Sequence, residues 1–238
     1  ILSVTGDSNA AEVRARIEKS FGAWLEEGPK LPERPALSTK REAKLYFVER
    51  PHVTQTSFML GHVIDVRRND KDYPAILMMN EVLSGGMAAR LFTEIRTKKG
   101  LAYSVWGGAG VNYDRPGLFR ASCITRNEQA LEAMAALRSE IERLRDEGVT
   151  PLELEKARAG ELNSFVFNYD SVEKIAGRIR SYEYYGYPLD FDRTLYEALR
   201  TVTLEEVNRV AKAYLDPDKF TLLAVGSSAQ YSKPLETL

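Results

Sequence analysis

The 238 residues are 44% hydrophobic and 28% charged, enough to build a substantial core, and 33 basic against 34 acidic residues leave a formal net charge of -1. So even a balance, mixed along the chain, leaves no electrostatic footprint for nucleic acid or an anionic membrane, and no stretch approaches the roughly 20 apolar residues that span a bilayer. A single cysteine, Cys123, excludes an internal disulfide framework; set in an apolar strand-like run, it reads as a buried, inert thiol.

Residues 1–4 read as a strand ending at Gly6 and Asp7, and a helix is expected over residues 10–25, capped by Asp7 or Ser8, with Val13, Ile17, Phe21 and Trp24 as its apolar stripe. No charged-then-apolar signal segment opens the chain, and a start at Ile1 reads as that of a piece of a longer polypeptide. Residues 28–43 carry Pro29, Pro32 and Pro35 among charged residues, a stiff extended connector that marks a domain boundary.

Two strands follow over residues 45–49 and 54–61, separated by Arg50, Pro51 and His52. Ile76, Leu77, Met79, Val82 and Leu83 then keep helical spacing until Gly85 and Gly86 break it. A second short helix is expected over residues 88–98, ended by Lys98, Lys99 and a left-handed Gly100, with a strand over residues 101–106. This arrangement puts a long cation, Arg96, in the last turn of a helix and a phenol, Tyr103, near the start of the next strand. Two such donors on opposite sides of a tight turn can converge on one point and stabilise oxygen charge without titrating near neutral pH. By residue type alone, a helical Arg is more often solvated and a strand Tyr more often half-buried packing.

The strand over residues 101–106 opens a hairpin that runs through the glycine-rich residues 107–110 and returns over residues 118–125. Thr125 and Glu128 have capping-box spacing before a long helix whose Leu131, Met134, Leu137, Ile141 and Leu144 share one face, ending at Gly148. Thr150 and Pro151 open another helix. Further helices are expected over residues 171–185 and 204–215, the latter stopping at Asp216 and Pro217 before a final strand over residues 220–225. Residues 222–226 resemble residues 2–6, each a strand running into glycine. The order of strands and helices suits an α+β layer, with hairpin-paired strands beneath helices.

Few residues carry chemistry of their own. A zinc peptidase needs a helical His-x-x-Glu-His that sets two imidazoles on one face with a carboxylate to activate water. Only His52 and His62 are present, neither with a second His at helical spacing, so both read as surface or packing residues and no metal site is expected. Cys123 has no context for activation, and neither a Gly-x-Ser-x-Gly elbow nor a phosphate loop occurs. Tyr182, Tyr184, Tyr185 and Tyr187 read as partly buried against neighbouring helices.

The run from Gly85 through Arg90-Leu91-Phe92 to Arg96 and Gly100-Leu101-Ala102-Tyr103-Ser104 resembles the second half of the M16 zinc metallopeptidases, which include pitrilysin-like and mitochondrial-processing-peptidase-like enzymes. Residues 148–157 and 214–218 resemble the same family, so the likeness covers nearly the whole chain. The family often has Ser-Arg-Leu where this chain reads Ala89-Arg90-Leu91, and no serine role carries over.

The resemblance implies a mostly antiparallel sheet with helices on one face, the family's metallohydrolase domain, in which homologous domains follow one another. Residues 1–27 would then be the final strand and helix of a preceding domain, residues 28–43 a linker, and residues 44–238 the complete metal-free C-terminal domain. Arg96 and Tyr103 would match the arginine and tyrosine that reach the active site from the half without metal, as catalytic and substrate-binding residues. Zinc would sit in a partner half bearing His-x-x-Glu-His, in the same polypeptide or a sister subunit, with a homodimer or heterodimer both open and a cytoplasmic or periplasmic setting undecided. That half and its Glu-activated water would attack a peptide carbonyl while Tyr103 donates to the oxyanion and Arg96 holds a substrate carbonyl. The alternative is a catalytically inactive peptide-binding or scaffold subunit of the same fold.

Overall fold

The structure is a computed structural model and describes residues 1–24, 28 and 32–235. In chain order the elements are α1 (Ala10–Phe21), β1 (Lys44–Glu49), β2 (Gln55–Ile64), α2 (Tyr73–Ser84), a π-helical turn (Phe92–Lys98), β3 (Ser104–Gly110), β4 (Gly117–Arg126), α3 (Ala130–Glu147), α4 (Pro151–Ser164), α5 (Val172–Tyr185), α6 (Phe191–Thr201), α7 (Leu204–Tyr214) and β5 (Thr221–Gly226). They divide into two compact units, Ile1–Ser38 with Phe165–Phe191, and Thr39–Ser164 with Asp192–Leu238.

The larger unit is built on a five-stranded sheet in the order β1-β5-β2-β4-β3. All neighbouring strands are antiparallel except the edge pair β1 and β5. The period of two in the sequence decides its faces. Thr56, Phe58, Leu60, His62 and Ile64 of β2 point the same way as Phe119, Ala121, Cys123 and Thr125 of β4, and all are buried, whereas Gln55, Ser57, Leu118 and Arg120 on the other face are exposed. Helices pack on the buried face, giving the α+β layer the sequence predicts. In α3 the expected stripe of Leu131, Met134, Leu137, Ile141 and Leu144 is buried, as are Ile76, Met78, Met79, Val82 and Leu83 of α2. Each such side chain contributes about 1.5–3 kcal/mol on burial. The Cys123 thiol lies inside this core, where burial pushes its pKa up to about 12.

At the β3 edge, the Asn80 side chain of α2 takes the place of a neighbouring strand: its amide Nδ2–H donates to the Ala109 carbonyl at 3.0 Å, and its Oδ1 accepts the Ala109 N–H at 2.7 Å. Asp72, at the start of α2, accepts both guanidinium nitrogens of Arg209 and the Tyr214 hydroxyl, tying α2 to α7.

In the smaller unit the expectations fare less well. Residues 1–4 form no strand, so the likeness to residues 222–226 does not extend to structure. The α1 cap is Asn9, whose side chain accepts from the N–H groups of Ala11 and Glu12, rather than Asp7 or Ser8. No residue of α1 is buried; Phe21 and Trp24 meet each other edge to face, with Trp24 73% exposed. The predicted end of that helix at Leu25, the domain boundary at Glu27 and the prolyl residue Pro29 lie outside the described residues. Of the tyrosine cluster, Tyr182 is buried and packs against the rings of Tyr187 and Phe191, while Tyr184 is exposed.

Two further expectations are corrected. Thr125 caps nothing: the strand continues through it to Arg126 and its side chain points into the core, because its backbone pairs with Thr56 across the ladder. The helix expected over residues 88–98 is π-helical over Phe92–Lys98. α6, between the two C-terminal helices, has no counterpart among the sequence-based expectations.

Candidate functional site

Arg96 and Tyr103 lie at the two ends of one reversal in the larger unit. Leu91 and Ile95 are fully buried and pin the π-helical turn to the core, so the residues between and after them face outward. The wider π spacing is written in the hydrogen bonds: the Lys99 N–H donates to Glu94 O at 3.2 Å, five residues back, and the Leu101 N–H to Ile95 O at 3.0 Å, six back. Between them Gly100 takes the left-handed conformation, φ 64°, that the sequence leads one to expect. Leu101 and Ala102 dive back into the core.

Tyr103 therefore sits in a bend just before β3, one residue short of the strand predicted to contain it, yet its N–H already donates to the Ile124 carbonyl at 2.9 Å. Its side chain is 73% exposed. The exposed Arg96 guanidinium lies over the Phe92 ring, 4.9 Å from its centre, a cation–π contact that orients the side chain without using its donors. No hydrogen bond joins Arg96 to Tyr103, and among the described residues neither polar end has a hydrogen-bond or ion-pair partner. Both are donors free to meet carbonyl oxygens brought from outside.

The turn is also held from below. Arg90, nine-tenths buried, donates from Nε and Nη2 to the two carboxylate oxygens of Glu153 at 2.7 and 2.8 Å, and from Nη2 to the Gly148 carbonyl at 2.7 Å. Glu153 closes the first turn of α4, accepting the Thr150 N–H and hydroxyl. These bonds, first of all those from Arg90, hold its carboxyl down to about 2.

A second pair of charged groups was not foreseen. Glu81 of α2 and Glu161 of α4 are both pushed up in pKa by burial, Glu81 to about 7 with a further contribution from the Glu161 charge. Neither residue type nor spacing signals it, since the two meet only through the packing of α2 on α4.

The two histidines behave as expected. His52 is exposed, while His62 is buried, its ring stacked 5.3 Å from that of Phe220. Its Nδ1–H donates to the Val63 carbonyl at 3.0 Å and its Nε2 accepts the Asp216 N–H at 3.1 Å, the arrangement of a neutral ring. Burial, then the Arg41 charge, lowers its pKa. The unfolded chain takes up the proton first as pH falls through about 6.5, so this ring makes the fold less stable on acidification. His62→Gln should flatten that limb in unfolding curves measured between pH 7 and 5; an unchanged slope would show the ring is not its source.

Among the described residues no group of three or more His, Cys, Asp or Glu side chains is placed to hold a metal ion. No helix of the described residues is long and apolar enough to cross a membrane.

Residues 1–161 match the protein family described as the peptidase M16 inactive domain. The chain is 26% identical over 222 residues to YmxG of Bacillus subtilis, described as an uncharacterized zinc protease, a match covering 92% of this chain and 52% of that protein. It is 24% identical over 231 residues to a Helicobacter pylori protein described as the non-peptidase homolog YmxG, covering 95% of this chain and 52% of that one. The crystal structure of a peptidase M16 inactive domain from Pseudomonas fluorescens aligns with a TM-score of 0.80 at 27% identity, over 97% of this chain and 53% of that chain. The chain thus spans about half the length of the curated relatives it matches.

Proposed function

Because the chain belongs to the peptidase M16 inactive-domain family, we propose that it is the metal-free half of a peptidase, closing the chamber of a partner half that bears His-x-x-Glu-His and holds zinc. The observation that carries this reading is that Arg96 and Tyr103, on a turn anchored at both ends, have polar ends without a hydrogen-bond or ion-pair partner among the described residues. Tyr103 donates its hydroxyl to the oxyanion that develops on the scissile carbonyl, and Arg96 donates to a backbone carbonyl of the peptide. The partner half lies in the same polypeptide or in a sister subunit. In the same reading residues 1–27 are the tail of a preceding homologous domain, residues 28–43 a linker and residues 44–238 the domain that carries the pair.

The test is cleavage of an unfolded peptide by this chain joined to its metal-bearing half, against each half by itself. Cleavage by the joined halves alone supports the reading, and a stoichiometric, chelator-sensitive zinc in this chain by itself would overturn it. The second reading, a peptide-binding or scaffold subunit without catalysis, is favoured by the description of the Helicobacter pylori relative as a non-peptidase homolog. Peptide binding by the joined halves without cleavage would select it.

A further inference from the structure

We infer that Arg90 is a positioning residue for Arg96, setting where its guanidinium meets a bound peptide; the inference rests on the substrate-binding role of Arg96 proposed above. A π-helical turn is a poorly self-supporting element, because its wide spacing gives weaker packing along its axis than an α-helix has. It holds a direction only if both ends are fixed from outside. Its C-terminal end is fixed by the Leu101 N–H on Ile95 O and the left-handed Gly100. At its N-terminal end the Thr93 N–H donates to Ala89 O at 3.0 Å and the Thr93 hydroxyl reaches Met87 O at 3.5 Å, bonds within the same stretch of chain, while Arg90, two residues before Phe92, bonds to residues far away in sequence.

That anchor is bidentate and directional. Nε and Nη2 lie in one plane and engage the two oxygens of Glu153, while Nη2 also reaches Gly148 O, so the guanidinium spans the corner between α3 and α4. The third nitrogen, Nη1, is buried without a hydrogen-bond partner among the described residues, which leaves the whole grip on the Nε and Nη2 edge. The corner is rigid in its turn: the Val149 N–H donates to Asn208 Oδ1 of α7 at 2.7 Å, and Glu153 is locked by Thr150. Arg90 thereby ties the turn that aims Arg96 to three helices at once. A lysine keeps the charge but has no planar fork, so it fixes a distance and not an orientation.

The experiment is a double-mutant cycle of Arg90→Lys and Arg96→Ala in this chain joined to its partner half, depleted of metal so that a peptide binds without being cut. Peptide dissociation constants and amide hydrogen exchange over residues 92–99 are read together. Arg90→Lys should weaken peptide binding about tenfold when Arg96 is present and less than about twofold when it is Ala, the mark of two residues acting as one. Exchange over residues 92–99 should speed up while that of β4 stays as it was. Should Arg90→Lys not fold, Glu153→Gln repeats the cycle, since it removes the charged half of the fork and keeps an oxygen for Thr150. Equal weakening in both Arg96 backgrounds, or none in either, overturns the positioning role and leaves the site reading standing. If Arg96→Ala binds peptide as well as the wild type does, the site reading and this inference fall together.

Discussion

Tyr103→Phe, made in this chain joined to its metal-bearing half, should lower turnover by about two to three orders of magnitude, the usual cost of one oxyanion donor. The substitution removes a single hydroxyl, and that hydroxyl has no partner among the described residues. The ring is 73% exposed, and the bond that fixes residue 103 comes from its backbone N–H on Ile124 O. The fold therefore loses nothing, and thermal unfolding of the variant should overlay that of the wild type. A loss confined to kcat is the signature of an interaction made only in the transition state. Turnover within a few-fold of wild type would remove Tyr103 from the chemistry and leave the scaffold reading as the better account.

Glu81→Gln should stabilise the protein at pH 8 and leave it nearly unchanged at pH 5. The Glu81 carboxyl is pushed up to about 7 by burial and by the Glu161 charge. For an acid whose folded pKa is raised, the fold favours the protonated form. Stability is then full below the unfolded value near 4.5 and is lost as pH rises through about 7. Converted at about 1.4 kcal/mol per unit this would be about 3 kcal/mol, but the side chain is only partly buried and water screens it, so we expect about 1–2 kcal/mol. Gly85 is what makes room for this carboxyl: a Cβ there would lie 2.0 Å from Glu81 Oε2 and 2.7 Å from the Glu81 Cα. Urea midpoints at the two pH values decide the matter, and a gain of the same size at both would assign the effect to something other than ionisation.

The larger unit was legible because its signals are local. Period-two alternation in β2 and β4 and the stripe of α3 state which face is buried, and Gly100 states where the turn reverses. What was not legible depends on partners far away in sequence. The π spacing of Phe92–Lys98 has no propensity signal of its own, since Leu91 and Ile95, both buried, are four apart as on an α-helix. The spacing of Thr125 and Glu128 imitates a helix cap, yet pairing with Thr56 keeps the strand going. In α1 the stripe of Val13, Ile17 and Phe21 is real as a pattern, but among the described residues Val13 and Ile17 are only half-buried and Phe21 is exposed. For the candidate site, family-like residues pointed to Arg96 and Tyr103, but the lack of a hydrogen-bond partner for either polar end among the described residues, and the grip of Arg90 on Glu153, are three-dimensional facts.

The Asn80 amide, which occupies both the N–H and the carbonyl of Ala109, has a consequence for how the molecule behaves in crowded solution. An open strand edge is a template on which a second chain can grow, and self-association of sheet proteins begins there. At the Ala109 position of β3 that template is already filled by a side chain from the same molecule, so a newcomer must first evict it there. The opposite border, β1, carries exposed Leu45, Tyr46 and Val48 between Lys44 and Glu49, with only the terminal charges to discourage stacking. Solubility engineering of the isolated chain belongs on that border, where one added lysine in place of an exposed apolar residue would guard what Asn80 guards on the other side.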